Sequence, residues 1–371
     1  MAYFEIDGWW KAKEDEGVGL LPDGATQLTF EGCTVPEHHA YWYEDRVHAI
    51  GITSLDSHIR ECVGITPSTS HTIWYRGQLS RWSISASIFR DTQLLENEHE
   101  LIETIVTKYP EDFENCHSFF SKLVKLKHYS CPSRLLDVTG NPMVALFFAL
   151  QEIDGNNPFG VVYTCFSERG QEFFESNQNV AKLVAISKTD NSKCYVCPVY
   201  TANDRSRKPT ECIERPSKDK DEGCQLLRSL VFNAHALNEE FETNDDLTLD
   251  SFKGCIFVKP PMNNQRIIQQ QGAFLIVGRN ADNPSLQCDD VKRYFCVPSD
   301  YSPLPSNGTK SAIDETMHGK QYVFVIPYTA KETLLWGLDE LGINDAFVFP
   351  EIERRINYYK KKLGSSHEII V

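Results

Sequence analysis

Tyr129-Ser-Cys-Pro-Ser-Arg-Leu-Leu-Asp-Val-Thr-Gly-Asn-Pro-Met-Val-Ala-Leu-Phe-Phe-Ala-Leu150 is the stretch on which the fold turns. Arg134 and Asp137 stand three apart and lead into Asn141-Pro142. Asn is a good N-cap and Pro is favoured at the first helical position. Met143 to Leu150 has no polar face, so the helix expected there is buried on all sides. A charged pair at the mouth of such a helix is costly unless each charge finds a partner. Arg134 and Asp137 are therefore expected to be either a structural clamp or site residues at the helix N-terminus, where anions bind readily.

Working outward, Thr72 to Arg76 is β-branched and aromatic and reads as a strand. Glu96 to Lys108 has Leu101, Ile102, Ile105 and Val106 at helical spacing and stops at Pro110; Phe113 to Leu126 reads as a second amphipathic helix. Strands are expected at 160–166, 254–258, 272–277 and 322–326. Helices are expected over 330–341, ended by Gly342, and from Glu351 through Lys362. Strands and helices mixed without strict alternation indicate an α+β fold, with a central mixed or antiparallel sheet flanked by helices. Residues 1–69 carry Trp9-Trp10, Tyr41-Trp42-Tyr43 and Ile50-Gly51-Ile52, too aromatic for a disordered tail, and are expected as an N-terminal extension packed on a core domain of 70–362. Polar stretches near 203–223 and 280–318 read as insertions into that domain, and Glu239 to Asp250 is acidic.

The 371 residues are 41% hydrophobic and 24% charged, ordinary for a globular protein. Arg and Lys number 37 against 52 Asp and Glu, a formal charge of −15, which argues against a broad phosphate-binding face while allowing a local basic groove. Met1 to Asp7 has no basic-then-apolar leader and no apolar run approaches a membrane span, so a cytoplasmic protein without a membrane partner is expected. The twelve cysteines are scattered and are expected to be reduced. Cys194 and Cys197 make half of a zinc spacing, with Cys212 and Cys224 beyond but no second close pair, and His99-Glu100 lacks the second histidine of a zincin helix; no metal is expected.

Arg76, on a predicted strand and followed by Gly77, offers a planar fork suited to phosphate or carboxylate, or else an internal salt bridge, for instance to Asp137. Gly77 allows backbone or ligand to approach closely. Gln269-Gln270-Gln271 before an apolar strand suits ribose hydroxyls or an amide, or else is a polar strand edge. No phosphate-binding loop, G-x-S-x-G or G-x-G-x-x-G is present, so hydrolase, kinase and Rossmann readings lack support.

Together these blocks resemble the FRG domain, a family named for an aromatic-Arg-Gly motif. The resemblance rests on Tyr75-Arg76-Gly77-Gln78, Trp82, Arg90, His128-Tyr129, Pro132 to Asp137, Asn141-Pro142, Ala145 to Ala149, Arg266-Ile267 and Gln270 to Phe274. It continues in order through Ile326-Pro327, Lys331, Leu338, Leu341 to Ile343 and Phe347 to Glu351. An arginine on an early strand and a polar residue before a late strand are also similar to the layout of ADP-ribosyltransferases. That similarity implies NAD as substrate, held by Tyr75, Arg76, Gly77, Gln78, Arg134 and Gln271. Catalytic roles fall to Arg76, Asp137, Gln271 and Glu351, with Asp137 or Glu351 as the acid and Arg134 as an anion clamp. It further implies a toxin that modifies RNA, DNA or protein, in bacterial antiphage defence or a toxin–antitoxin system with an antitoxin or other protein partner. The alternatives are a non-catalytic nucleotide or nucleic-acid recognition module, or a scaffold in which the charges only hold the fold.

Overall fold

The computed structural model describes residues 27–30, 33–36, 40–43, 47–65, 70–79, 84–151, 159–190, 222–239, 241, 249–278, 287–288, 290–299, 301 and 318–365. Among them are eleven strands: β1 (Gln27–Phe30), β2 (Cys33–Pro36), β3 (Ala40–Tyr43), β4 (Val47–Gly51), β5 (His71–Gln78), β6 (Leu135–Thr139), β7 (Phe159–Glu168), β8 (Glu172–Phe174), β9 (Cys255–Lys259), β10 (Gly272–Val277) and β11 (Gln321–Pro327). β1 pairs with β2. The other nine form one mixed sheet in the order β3-β4-β11-β7-β5-β6-β10-β9-β8. β4 and β11 are parallel, as are β8 and β9, and the remaining neighbours are antiparallel. The α+β expectation of a mixed sheet flanked by helices is met. Residues read as an extension supply β3 and β4, so this part of the extension continues the sheet rather than lying against it.

The helices that position the site are α1 (Leu55–Gly64), α2 (Thr92–Glu96), α3 (Glu98–Lys108), α4 (Phe119–His128), α5 (Pro142–Ala149) and α6 (Gln178–Lys188). The Asn141 side chain accepts from the Met143 amide at 2.9 Å and caps α5, as the sequence predicts. Val144 to Phe147, Ala149 and Leu150 are buried. α5 lies directly on the sheet because Gly77 and Gly160 leave room: a Cβ at Gly77 would stand 1.8 Å from the Ala145 carbonyl oxygen, and one at Gly160 2.2 Å from that of Ala149. α4 starts at Phe119 rather than Phe113, since Ser118 accepts from the Ser121 amide and a short 3-10 turn at Pro110–Phe113 precedes it. Two hydrophobic clusters cover one face of the sheet, one built around α5 and one around α3, α4 and α6. The third covers the opposite face. The 203–221 part of the first insertion, most of 280–318, and Cys194, Cys197 and Cys212 lie outside the described residues.

Of the strands that the sequence does not announce, which include β3, β4 and β8, β6 bears directly on the site. Arg134 and Asp137 flank and occupy this strand instead of standing together at a helix mouth. Arg134 is enclosed with Glu98 of α3, whereas Asp137 meets Arg76 of β5 and Lys127 of α4. The expected Arg134–Asp137 unit is thereby split.

Candidate functional site

The middle of the sheet is where the site forms. β5 runs in register with β7 over its whole length, His71↔Glu168 to Gln78↔Val161, but meets β6 at Tyr75↔Thr139 alone. Beyond that pair the two strands part, and main-chain groups facing the gap need other partners. Arg76 supplies one: its Nη1 donates to the main-chain oxygen of Asp137 at 2.8 Å, and its Nε donates to the side-chain oxygen of Gln78 at 3.1 Å. The same Nη1 stands 3.8 Å from the Asp137 carboxylate. Lys127, in the last turn of α4, reaches that carboxylate at 3.0 Å. Burial alone would raise the Asp137 carboxyl, but Lys127 and then Arg76 outweigh it and hold the group below its ordinary value. The Asp137 side chain is still 53% exposed, facing a cavity of about 230 Å³ over the gap.

That cavity is also lined by His128, Phe148, Arg266 and Gln270. Arg266 donates to the His128 carbonyl at 3.2 Å and to Glu351 at 3.3 Å, and its guanidinium stacks 4.9 Å from the centre of the Phe349 ring. Burial, reinforced by Arg266, pushes the His128 imidazole down to about 4, so it is neutral near pH 7. Behind His128 and Ile267, which line both spaces, a second cleft of about 540 Å³ opens. Its walls include His117, Tyr129, Asn263, Asn264 and Glu351.

Of the residues singled out from the sequence, Arg76 and Asp137 come together in this cavity and Glu351 borders the next. Gly77 lines the cavity, but its missing side chain serves the approach of α5. Tyr75 also lines the cavity, but its ring packs into the core around α5, where burial raises its phenol beside Cys62 and Tyr301. Gln78 is buried and serves Arg76.

Two placements correct expectations. Arg134 is buried, with Nε 2.8 Å and Nη2 2.6 Å from Glu98 of α3, whose other oxygen accepts from Ser187 of α6 at 2.8 Å. It is sealed from the cavity, so the anion-clamp role fails on access. Gln271 adopts a left-handed conformation, φ 46°, as the cap of helix Gln265–Gln270, and its side chain is exposed; Gln270 faces the cavity instead. Gln270 is held there by its amide donating to the Val348 carbonyl at 3.1 Å and by its own carbonyl accepting from Thr139. The sequence reading named no role for Lys127 or Arg266. The available signal was the basic Lys125-Leu126-Lys127-His128 end of α4 running into the Arg134 to Asp137 segment.

Residues 71–157 match the family model of the FRG domain. The match takes in β5, β6, α3, α4 and α5 and so contains Arg76, Lys127, His128 and Asp137, while Arg266, Gln270 and Glu351 lie beyond it. No curated protein and no solved structure matches the chain. Among the described residues no helix is long and apolar enough to cross a membrane, and no group of three or more His, Cys, Asp or Glu is placed to hold a metal ion.

Proposed function

We propose that the cavity over the β5–β6 gap binds the phosphate–ribose part of NAD, and that the chain transfers ADP-ribose from it to an RNA, DNA or protein acceptor. The observation that carries this reading is the gathering of Arg76, Lys127 and Arg266 around one cavity, the first two on the ionised Asp137 carboxylate and the third on Glu351, inside a chain of formal charge −15. A local cationic pocket on an acidic molecule selects a small anion rather than a long polyanion. Arg76 and Lys127 suit phosphate oxygens. Asp137, held ionised, is unsuited to donating a proton; it suits accepting hydrogen bonds from ribose hydroxyls and offsetting positive charge at the anomeric carbon as nicotinamide departs. In that transfer the bond from the anomeric carbon to nicotinamide breaks. A new bond forms from that carbon to an acceptor oxygen or nitrogen, and the acceptor proton is released. The larger cleft, bordered by Glu351, suits the acceptor side, and its size falls within the ordinary range of ligand sites, about 300–1,000 Å³. The toxin, antiphage and antitoxin setting belongs to this proposal as an implication of the family resemblance.

A second reading, binding without turnover, is favoured by one feature: Lys127 and Arg76 already engage the Asp137 carboxylate. Incubating the pure chain with NAD labelled in its adenylate, together with RNA, DNA and protein acceptors, separates the two. Label on an acceptor supports transfer. Saturable NAD binding with no label transferred supports the module. Absence of both sinks the NAD assignment.

A further inference from the structure

The last helix, Ile352–Ser365, is mounted the wrong way round for a helix belonging to a monomer. Its polar side faces the body: Arg355 and Tyr358 are half-buried, Tyr358 and Lys362 bond Asp339, and Arg354 stacks 4.8 Å from the centre of the Phe349 ring. Its large apolar residues face outward, with Ile352 68%, Ile356 44%, Tyr359 55% and Leu363 69% exposed. Burying apolar side chains is favourable, so an amphipathic surface helix ordinarily turns that stripe inward. Four such residues on one exposed line mark an interaction surface.

The spacing says what kind. Steps of four, three and four residues are the d-a-d-a line of a heptad repeat, sustained over about 20 Å of helix. A strict a/d line is a narrow seam for one partner helix, whereas insertion into a lipid surface uses a wider apolar face. Of the positions flanking the seam, Glu353 and Lys360 stand on the open side, while Arg355 and Lys362 stand on the side that leans on the body. The helix as a whole carries five cations and one carboxylate. Two copies pairing through this seam would bring together two helices that each carry four more cations than carboxylates, which is unfavourable.

We infer that this helix is a docking site for an amphipathic helix of a partner protein whose a/d seam is flanked by Glu and Asp. The inference is independent of NAD chemistry, because it rests on the exposed stripe and the net positive charge of the helix alone. It also fits the place of a regulatory partner, since Glu351, one residue before the helix, borders the larger cleft.

The test uses the full chain and a three-heptad peptide with Ile at a, Leu at d and Glu at e and g, whose like charges keep it from pairing with itself. Fluorescence anisotropy is expected to show saturable, salt-sensitive binding. Ile356→Asp and Leu363→Asp are each expected to weaken it at least about tenfold. Both sites are solvent-exposed, so far-UV circular dichroism and thermal midpoint should stay unchanged. The same peptide with Lys at e and g is expected not to bind. No binding of the Glu peptide overturns the inference, as does equal binding of the Lys peptide or indifference to both substitutions. Two further results overturn it in favour of another occupant: dimerisation abolished by Ile356→Asp in sedimentation, or cosedimentation with phosphatidylserine-containing vesicles abolished by the same change.

Discussion

At the residue scale, Arg76 and Arg134 look alike in the sequence and differ in the structure by what they face. Arg76 spans a gap in the sheet and borders a cavity; Arg134 is enclosed with Glu98. Removing Arg76 leaves Asp137 with Lys127, so no carboxylate is stranded. Arg76→Ala is therefore expected to cost about 1–2 kcal/mol of stability, the scale of lost hydrogen bonds, while NAD affinity falls at least about tenfold. Arg76→Lys is expected to rescue little, because an ammonium does not serve Gln78 and the Asp137 carbonyl at once. Arg134→Ala should do the opposite. It strands the Glu98 carboxylate in the interior, at about 3–5 kcal/mol, with NAD affinity intact in the folded fraction. Urea midpoints and calorimetric NAD titrations of the three variants decide this; equal stability losses at the two arginines would refute the distinction. The sequence carried both charges but not their separation, since Arg134 stands before β6 enclosed with Glu98 while Asp137 stands within the strand at the gap beside Arg76 and Lys127. Access is likewise a property of the packed layers, and nothing in the order Arg-Leu-Leu-Asp announces that Glu98, thirty-six residues earlier, closes over the first of them.

At the element scale, α5 is the part most legible in advance, because Asn141, Pro142 and an unbroken apolar run all specify one buried helix. What the sequence left open was how the helix lies on the sheet, and Gly77 and Gly160 answer it. Gly77→Ala would set a Cβ 1.8 Å from a main-chain oxygen, which cannot swing away as a side chain would. The expected loss is about 3 kcal/mol or more, at the upper end for overpacking. Gly364→Ala, where nothing lies within 4 Å, should be nearly neutral in the same denaturation experiment. A mild effect at Gly77 would mean that α5 is free to lift from the sheet. The joint between α1 and α5 adds a pH dependence. His58 is buried and bonded through Nε2 to the Pro142 carbonyl at 3.2 Å, and burial lowers its pKa from 6.5 to about 4. Its folded value lies below its unfolded value, so unfolding takes up a proton between those limits. The contribution is thus fully present above pH 6.5, shrinks as pH falls, and is spent below about 4. His58→Gln is expected to reduce the proton uptake on unfolding near pH 5 by about one, read from the slope of stability against pH. An unchanged slope would place the titration elsewhere. The helix Gln265–Gln270 was less legible. Three consecutive glutamines before an apolar strand gave no helical period, and only the left-handed turn at Gln271 decides which amide faces the cavity.

At the scale of the whole molecule, the sheet does not respect the boundary that family resemblance suggests near residue 70. β4 lies beside β11 in register from Gln321↔Val47 to Val325↔Gly51, with β3 outside it, and β11 in turn pairs with β7. Ile50 and Ile52 are buried in the same cluster as α5, and the Ile52 amide donates to the Val325 carbonyl at 2.9 Å. The Tyr322 hydroxyl donates to Glu61 of α1. These contacts tie residues 47–65 to a strand from the last fifth of the chain, so the FRG-matched segment 71–157 sits in the middle of a sheet completed from both sides. Local periodicity does not carry such long-range pairing: four-to-five-residue strands such as Ala40–Tyr43 and Val47–Gly51 give a weak signal, and which strand they join is not written locally. A chain beginning at residue 70 would lose β3, β4 and α1, open the edge of β11 and uncover part of the α5 cluster. An unpaired apolar edge recruits other chains. Residues 70–371 expressed alone are therefore expected to be aggregated or to unfold without a cooperative transition, whereas a chain beginning at residue 47 should retain one. The comparison is made by size-exclusion chromatography and thermal unfolding of the two lengths beside the full chain. A monomeric 70–371 fragment with the midpoint of the full chain would show the opposite: that β11 is a sufficient edge, and that the residues before it are an attachment rather than part of the fold.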